Sequence, residues 1–420
     1  MFRILNFKYL YTLPIIAIMV FYVFPSLLAV FFNGNPSAGN LLMISCISIA
    51  TYFMAYYLLS GSWFKNLFKG IPKIPMHWKY FSYSILIVYF SIIIYACLTV
   101  SQVALFAALE GSNITDLSVL REEFLRTRTG WEHSLLYIYT ICISALMPLI
   151  ITTMFAIKAR WRLTLLFLFI FSLILTLEKG RVMVALLPLI VLFVNQGQRQ
   201  HAYKTIALLI STIVLVSVIA RGGLASSVKV DSTAVTTTDT ASSTPVQYNL
   251  FKGQTGQVYY LVNRVIYIPY ITAIDWLRYK EEIRHGEAVS GQSIGIVAWL
   301  SGLEKINLER EVFAFQWGQN ETKTGSSNTV FYIDAYLNFG MFGVILYSML
   351  LAFFIRVCVL LGNEALIACL AISLYYVVFQ GLSAVLFSGG LGFLFIIALF
   401  FKFQIDKNLA HDSIDQGEYV

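Results

Sequence analysis

The chain has 420 residues, of which 58% are hydrophobic and 12% charged, and its mean hydropathy is +0.75. An ordinary soluble domain carries roughly twice that share of charge, about 25%, so a soluble globular protein is excluded. The formal net charge is +7, and no nucleic-acid partner is expected.

Ten apolar stretches follow in chain order, at roughly 10–32, 40–60, 81–100, 134–156, 162–177, 182–195, 205–220, 339–356, 363–383 and 390–403. They predict an all-α, polytopic transmembrane bundle of about ten spans. The first stretch is too long for a removable signal peptide and lacks a small-residue cleavage site, so it reads as an uncleaved span. Short loops between alternate spans hold Lys65, Lys69, Lys73, Lys79, Lys158, Arg160, Arg162, Arg199, Lys204, Arg356 and Lys402. The short loops at 33–39 and 384–389 hold no Lys or Arg. The positive-inside rule then places both termini in the cytoplasm. By these boundaries the chain divides into a seven-span region (1–220), a long outward loop with amphipathic helices (221–338) and a three-span region with a cytoplasmic tail (339–420).

Between the fifth and sixth stretches the tetrad Glu178-Lys179-Gly180-Arg181 interrupts an otherwise apolar run. Its flanks, Leu165–Leu177 and Val182–Val194, have 13 residues each. That is about 20 Å of helix, short of a hydrocarbon core of roughly 30 Å. Charges held part-way into a membrane face protein or water, and the tetrad reads as a floor for an anionic substrate. Arg121, Glu122, Glu123, Arg126 and Arg128 form a mixed-charge helix in the outward loop at 101–132 and read as a solvated face.

The long loop opens with Arg221-Gly222-Gly223, passes through a Ser/Thr-rich stretch from Ser226 to Pro245, and becomes aromatic and amphipathic from Gly256. Tyr260, Arg264 and Tyr267 fall on one helical face ahead of Pro269, which is expected to break or kink that helix. Ser326-Ser327-Asn328 are expected to cap a helix near Thr329. Asp334 and Asn338 lie one turn apart at the outer end of the next span, where Gly340 and Gly343 permit close helix packing. Arginine forks suit phosphate oxygens, which singles out Arg181, Arg221 and Arg264. Asp334, Glu178 and His285, in that order, are the acid–base candidates. Each has a plainer reading: headgroup snorkelling for the arginines, an ion pair for Glu178, a helix-end carboxylate for Asp334 and a solvated loop for His285. The five cysteines lie in or beside apolar spans and the five histidines are scattered, so neither a disulfide framework, a metal nor a cofactor is expected.

The order of features resembles Wzy-type polymerases, which join oligosaccharide repeat units of bacterial surface glycans. The resemblance rests on the Arg-containing hairpin, Arg-Gly-Gly opening a long loop, and the run Ser327-Asn-Thr-Val-Phe-Tyr-Ile-Asp-Ala-Tyr-Leu-Asn-Phe-Gly-Met-Phe-Gly343. Where the resemblance leads one to expect Ser-Arg-Gly, the hairpin reads Lys179-Gly180-Arg181. The resemblance implies a GT-C-like enzyme of the bacterial inner membrane, working at its periplasmic face on oligosaccharides carried by undecaprenyl pyrophosphate. The nascent chain would pass to the non-reducing end of a new unit, without a metal. Lys179, Arg181, Arg221 and Arg264 would hold the pyrophosphate. Membrane lipid is a further partner, and a chain-length regulator protein is left open. The alternatives are an O-antigen ligase, which would use a loop histidine such as His285, and a lipid-linked oligosaccharide flippase. The flippase would want internal repeats, and none is visible.

Overall fold

The computed structural model describes residues 7, 9–112, 114–220, 263–318 and 325–404. The described residues are mostly helical, at 76%. In chain order the elements are α1 (Leu10–Phe32), α2 (Pro36–Leu58), α3 (Ser62–Phe68), β1 (Ile74–His77), α4 (Trp78–Thr99), α5 (Ala104–Leu109), α6 (Ile114–Leu125) and α7 (Glu132–Ala156). Then come α8 (Arg162–Ile174), α9 (Lys179–Asn195), α10 (Arg199–Ile219), α11 (Ile268–Glu282), α12 (Gly295–Ser301) and α13 (Leu308–Trp317). The last are α14 (Phe331–Leu361), α15 (Glu364–Tyr376), α16 (Leu382–Phe387), α17 (Leu391–Phe400) and β2 (Phe401–Gln404). Six helices, α1, α2, α4, α7, α10 and α14, are long and apolar enough to cross a membrane. The other four predicted stretches form shorter apolar helices, α8, α9, α15 and α17.

One end of the bundle gathers the basic short loops. Lys73 Nζ donates to the Leu361 carbonyl (3.2 Å), Arg356 Nε to the Leu59 carbonyl (3.3 Å), and Tyr11 stacks on Tyr56 with centroids 4.3 Å apart. An all-helical chain was expected, yet β1 and β2 pair here in parallel, Ile74 opposite Phe401 and His77 opposite Gln404. Parallel pairing needs strands from distant parts of the chain, and here the bundle itself supplies the crossover. The opposite end carries α5, α6 and the α8–α9 tip; there Leu105 N donates to the Leu175 carbonyl (3.2 Å).

Sequence reading treats α14 as one straight span, but the structure folds it back on itself at Gly340 (φ 64°, ψ −152°). Tyr332 bonds Ser45 and Ser348 bonds Ser48, both at 2.8 Å. Ser45 and Ser48 are less than one turn apart on α2, whereas 332 and 348 would be about 24 Å apart on a straight helix. Phe339 and Tyr347 rings also meet, at 6.2 Å. Residues 331–339 therefore form a short helix returning against 341–361. Gly340 thus makes the turn, and Gly343 packs against Ala335 and Phe339 of the same hairpin rather than against a neighbouring helix.

Only glycine adopts the Gly340 backbone angles without strain. A Cβ there would meet open space, so the cost of Gly340→Ala is purely conformational, about 1–3 kcal/mol. The expected result is earlier thermal labelling of the buried Cys142, Cys358 and Cys369 by a thiol-reactive dye in detergent. A labelling curve identical to the native one would remove the strained hairpin.

Two local expectations also change. Pro269 sits in the first turn of α11 after a π-helical turn at Asn263–Tyr267, so it opens the helix instead of breaking it. The cap expected from Ser326-Ser327-Asn328 is not made, since the N-cap of α14 is Val330 without a side-chain bond. Ser326 Oγ donates instead to Glu309 (2.8 Å), and Ser327 Oγ accepts from Trp276 Nε1 (3.1 Å). These bonds tie the approach to α14 onto α13 and α11.

Candidate functional site

The α8–α9 tip is enclosed. Arg181 is the third residue of α9, so it lies about 21 Å from Asn195 at the other end of that helix. A hydrocarbon layer of roughly 30 Å starting at Asn195 would still cover it. The guanidinium is 14% exposed and its Nε meets Glu178 Oε2 at 2.5 Å. Its Nη1 donates to the Tyr139 hydroxyl (2.9 Å), with the guanidinium carbon 5.2 Å from the centre of the same ring. Tyr139 of α7 is fixed in turn by parallel stacking on Tyr89 (6.1 Å), whose hydroxyl shares a 2.7 Å hydrogen bond with Ser172 of α8. The Tyr376 phenol, at the end of α15, lies within electrostatic reach of Arg181.

The helix read from sequence as a solvated face closes over this tip. Leu117, Phe124 and Leu125 of α6 are buried, and Phe124 meets Tyr139 at 6.3 Å. Arg126, just beyond α6, reaches Glu178 Oε1 (3.3 Å) while pairing with Glu122 (2.8 Å). Arg121 lies close enough to feel the Glu178 charge; burial draws its guanidinium below the ordinary value and Glu178 opposes that shift. The buried Nε of Arg121 makes no hydrogen bond among the described residues. Arg121, Arg126 and Tyr139 are members of the site that sequence reasoning passed over. Two arginines five residues apart, on and just past a short mixed-charge helix, carry no signal of what they will be folded against.

A second cluster lies on the returning arm of the α14 hairpin. Asp334, 7% exposed, accepts from Asn338 Nδ2 through Oδ1 (3.1 Å). Asn338 Oδ1 in turn accepts from Ser293 Oγ (2.8 Å). Asp334 Oδ2 is buried without a hydrogen-bond partner among the described residues. It faces Gly381, where a Cβ would fall 2.5 Å away. Gly381 therefore leaves the room that the free oxygen occupies. Phe331 N donates to the Val377 carbonyl (3.1 Å) and Tyr22 Oη to the Val378 carbonyl (2.7 Å). The short segment from Tyr376 to Gly381 thus has Arg181 near one end and Asp334 against the other.

The remaining candidates are placed apart or not placed. His285 is exposed in a turn with φ 51°. Lys280, buried, holds that turn through the Gly286 carbonyl (2.6 Å) and lies 4.5 Å from the Tyr336 ring centre, and Val289 N donates to the Leu337 carbonyl (2.9 Å), so the His285 turn rests against the Asp334 arm without His285 itself reaching it. Nearby, Tyr279 donates to Glu311, and Arg284 Nη2 pairs with the same carboxylate at 2.9 Å. Burial, reinforced by Glu311, raises the Tyr279 phenol above its ordinary value. Arg264 is exposed on the π-helical turn before α11. Lys179 begins α9, but its side chain lies outside the described set, and Arg221 lies outside the described residues altogether. No group of three or more His, Cys, Asp or Glu side chains placed to hold a metal occurs among the described residues.

The fold and site define a mostly helical membrane protein with, among the described residues, six helices long and apolar enough to span and a charge-lined corner at one end. Comparison with family models, with curated proteins and with solved structures gave no match.

Proposed function

We propose that this chain is a membrane glycosyltransferase that polymerises lipid-linked oligosaccharide repeat units. In this reading the four shorter apolar helices complete about ten spans in a GT-C-like bundle of the bacterial inner membrane. The strand-bearing end and both termini face the cytoplasm, and the α6 end faces the periplasm. The reading is supported by the run from Ser327 to Gly343 and, above all, by one observation. A buried carboxylate with a free oxygen and a buried guanidinium flank the same Tyr376–Gly381 segment.

The chemistry follows from that pairing. The bond that breaks joins the anomeric carbon of the donor sugar to its diphosphate oxygen, so negative charge develops on the diphosphate. Fixed cations in a region of low dielectric stabilise that charge without reorganising. Arg181 is the placed cation; Lys179, Arg221 and Arg264 belong to the same proposal as further grips. The acceptor hydroxyl must lose a proton as it attacks, and Asp334 Oδ2 is the acceptor for it, with Asn338 holding the other oxygen. Glu178 is less suited to that role, because both of its oxygens already meet guanidinium groups. Direct attack inverts the anomeric centre.

Purified protein given undecaprenyl-pyrophosphate-linked units should form a ladder of longer chains. Loss of the gene should remove long chains while single units remain attached to the outer lipid. Loss of all attachment would mark a ligase, and lipid-linked units trapped on the cytoplasmic side would mark a flippase.

A further inference from the structure

Three arginines from two separate parts of the chain converge on a single carboxylate. Arg181 takes one oxygen of Glu178 at 2.5 Å and Arg126 takes the other at 3.3 Å. Arg121, in the α6 helix, lies near enough to feel the same charge and keeps an unbonded, buried Nε. Like charges gathered around one carboxylate repel one another, most where burial keeps water away. Glu178 offsets that repulsion at the centre, and Glu122 adds a second carboxylate on Arg126 alone (2.8 Å). A carboxylate offers two oxygens and one charge, whereas a diphosphate offers more of both and matches several planar forks at once.

We propose that Glu178 is an internal counter-anion occupying a three-arginine diphosphate site, and that an arriving diphosphate exchanges for it. The α6 helix is then a lid: Glu178 latches it through Arg126, and the ligand takes over the latch. Arg126 is 46% exposed and Glu178 24% exposed, so the outer oxygen of the pair is open to an incoming anion. Arg181 remains seated on Tyr139 during the exchange, since its Nη1 bond and ring contact do not involve Glu178. The inference rests on the functional reading of the same corner, but concerns binding and not transfer.

The test is titration of the full chain, in discs of phosphatidylcholine, with sodium pyrophosphate. Glu178→Gln removes the competing charge and should tighten pyrophosphate binding about tenfold, the effect of roughly 1.4 kcal/mol. A Glu178 that merely braces the fold would give unchanged or weaker binding, and that result overturns the proposal. Arg126→Gln, at an exposed position that does not endanger assembly, should weaken binding about tenfold. Unchanged affinity there overturns the proposal even where Glu178→Gln fails to assemble. Repeating the titration with farnesyl diphosphate added to the discs separates the two sources of the ligand. Competition with inorganic pyrophosphate for one site supports a lipid-borne diphosphate, and free pyrophosphate binding untouched by it supports a soluble one. Tightened binding without polymer formation would leave this inference standing and remove the polymerase reading. Polymer formation with unaltered pyrophosphate affinity in Glu178→Gln would do the reverse.

Discussion

Asp334→Asn is expected to abolish chain extension while leaving the fold in place. The substitution keeps the shape of the side chain, and its carbonyl oxygen can still accept from Asn338 Nδ2, the bond Asp334 makes at 3.1 Å. What changes is the atom facing Gly381, where an oxygen able to take a proton becomes an amide that cannot. Removal of a general base costs on the order of 10²–10⁴-fold in rate. The measurement is initial rate of ladder formation on lipid-linked units, with thiol-dye melting as a control for folding. Activity within threefold of native would show that the proton goes elsewhere, and His285→Ala and Glu178→Gln would then be assayed in the same way.

Arg181→Ala carries the second large effect, and here stability and activity fall together. The variant removes one of the two cations on Glu178 and the partner of the buried Tyr139 hydroxyl. Breaking a buried ion pair on one side costs roughly 3–5 kcal/mol, and the partial exposure of Glu178 and its remaining bond to Arg126 put this case near 3. Loss of one fixed cation facing a developing charge removes about 10²–10³-fold in rate. Arg181→Lys separates the two effects. It keeps the charge but loses the fork that bonds Glu178 and Tyr139 at once, so it should recover part of the stability and little of the rate. Full activity in Arg181→Ala would sink the assignment of this residue to the diphosphate.

Much of the helical layout is legible in the sequence because apolar length alone dictates it. The tetrad at 178–181 is visible for the same reason, since charges stand out inside an apolar run. The α14 hairpin is not legible: two glycines in an apolar span read as small residues for helix packing, and only the Gly340 backbone angles reveal a reversal. Asp334 was found as a polar residue at a span boundary, but its burial depends on Gly381, 47 positions later in the chain. Arg121 and Arg126 were set aside for a sound local reason, because a mixed-charge helix is usually solvated. Their role comes from the tertiary packing of α6, where Phe124 meets Tyr139 and Leu125 is buried, so that the charged residues beside them lie at the tip.

The pairing of Ile74–His77 with Phe401–Gln404 sets an order on assembly. The first strand is made early and waits, with its ladder positions unfilled, until more than 300 further residues have been synthesised and inserted. The earlier helices must therefore hold their places without this ladder while the ribosome completes the rest. A chain cut before Phe401 would retain every apolar helix and still lack this join between its early and late parts. Its faults would then appear first in protease access to the 69–77 segment, ahead of any change in helix content.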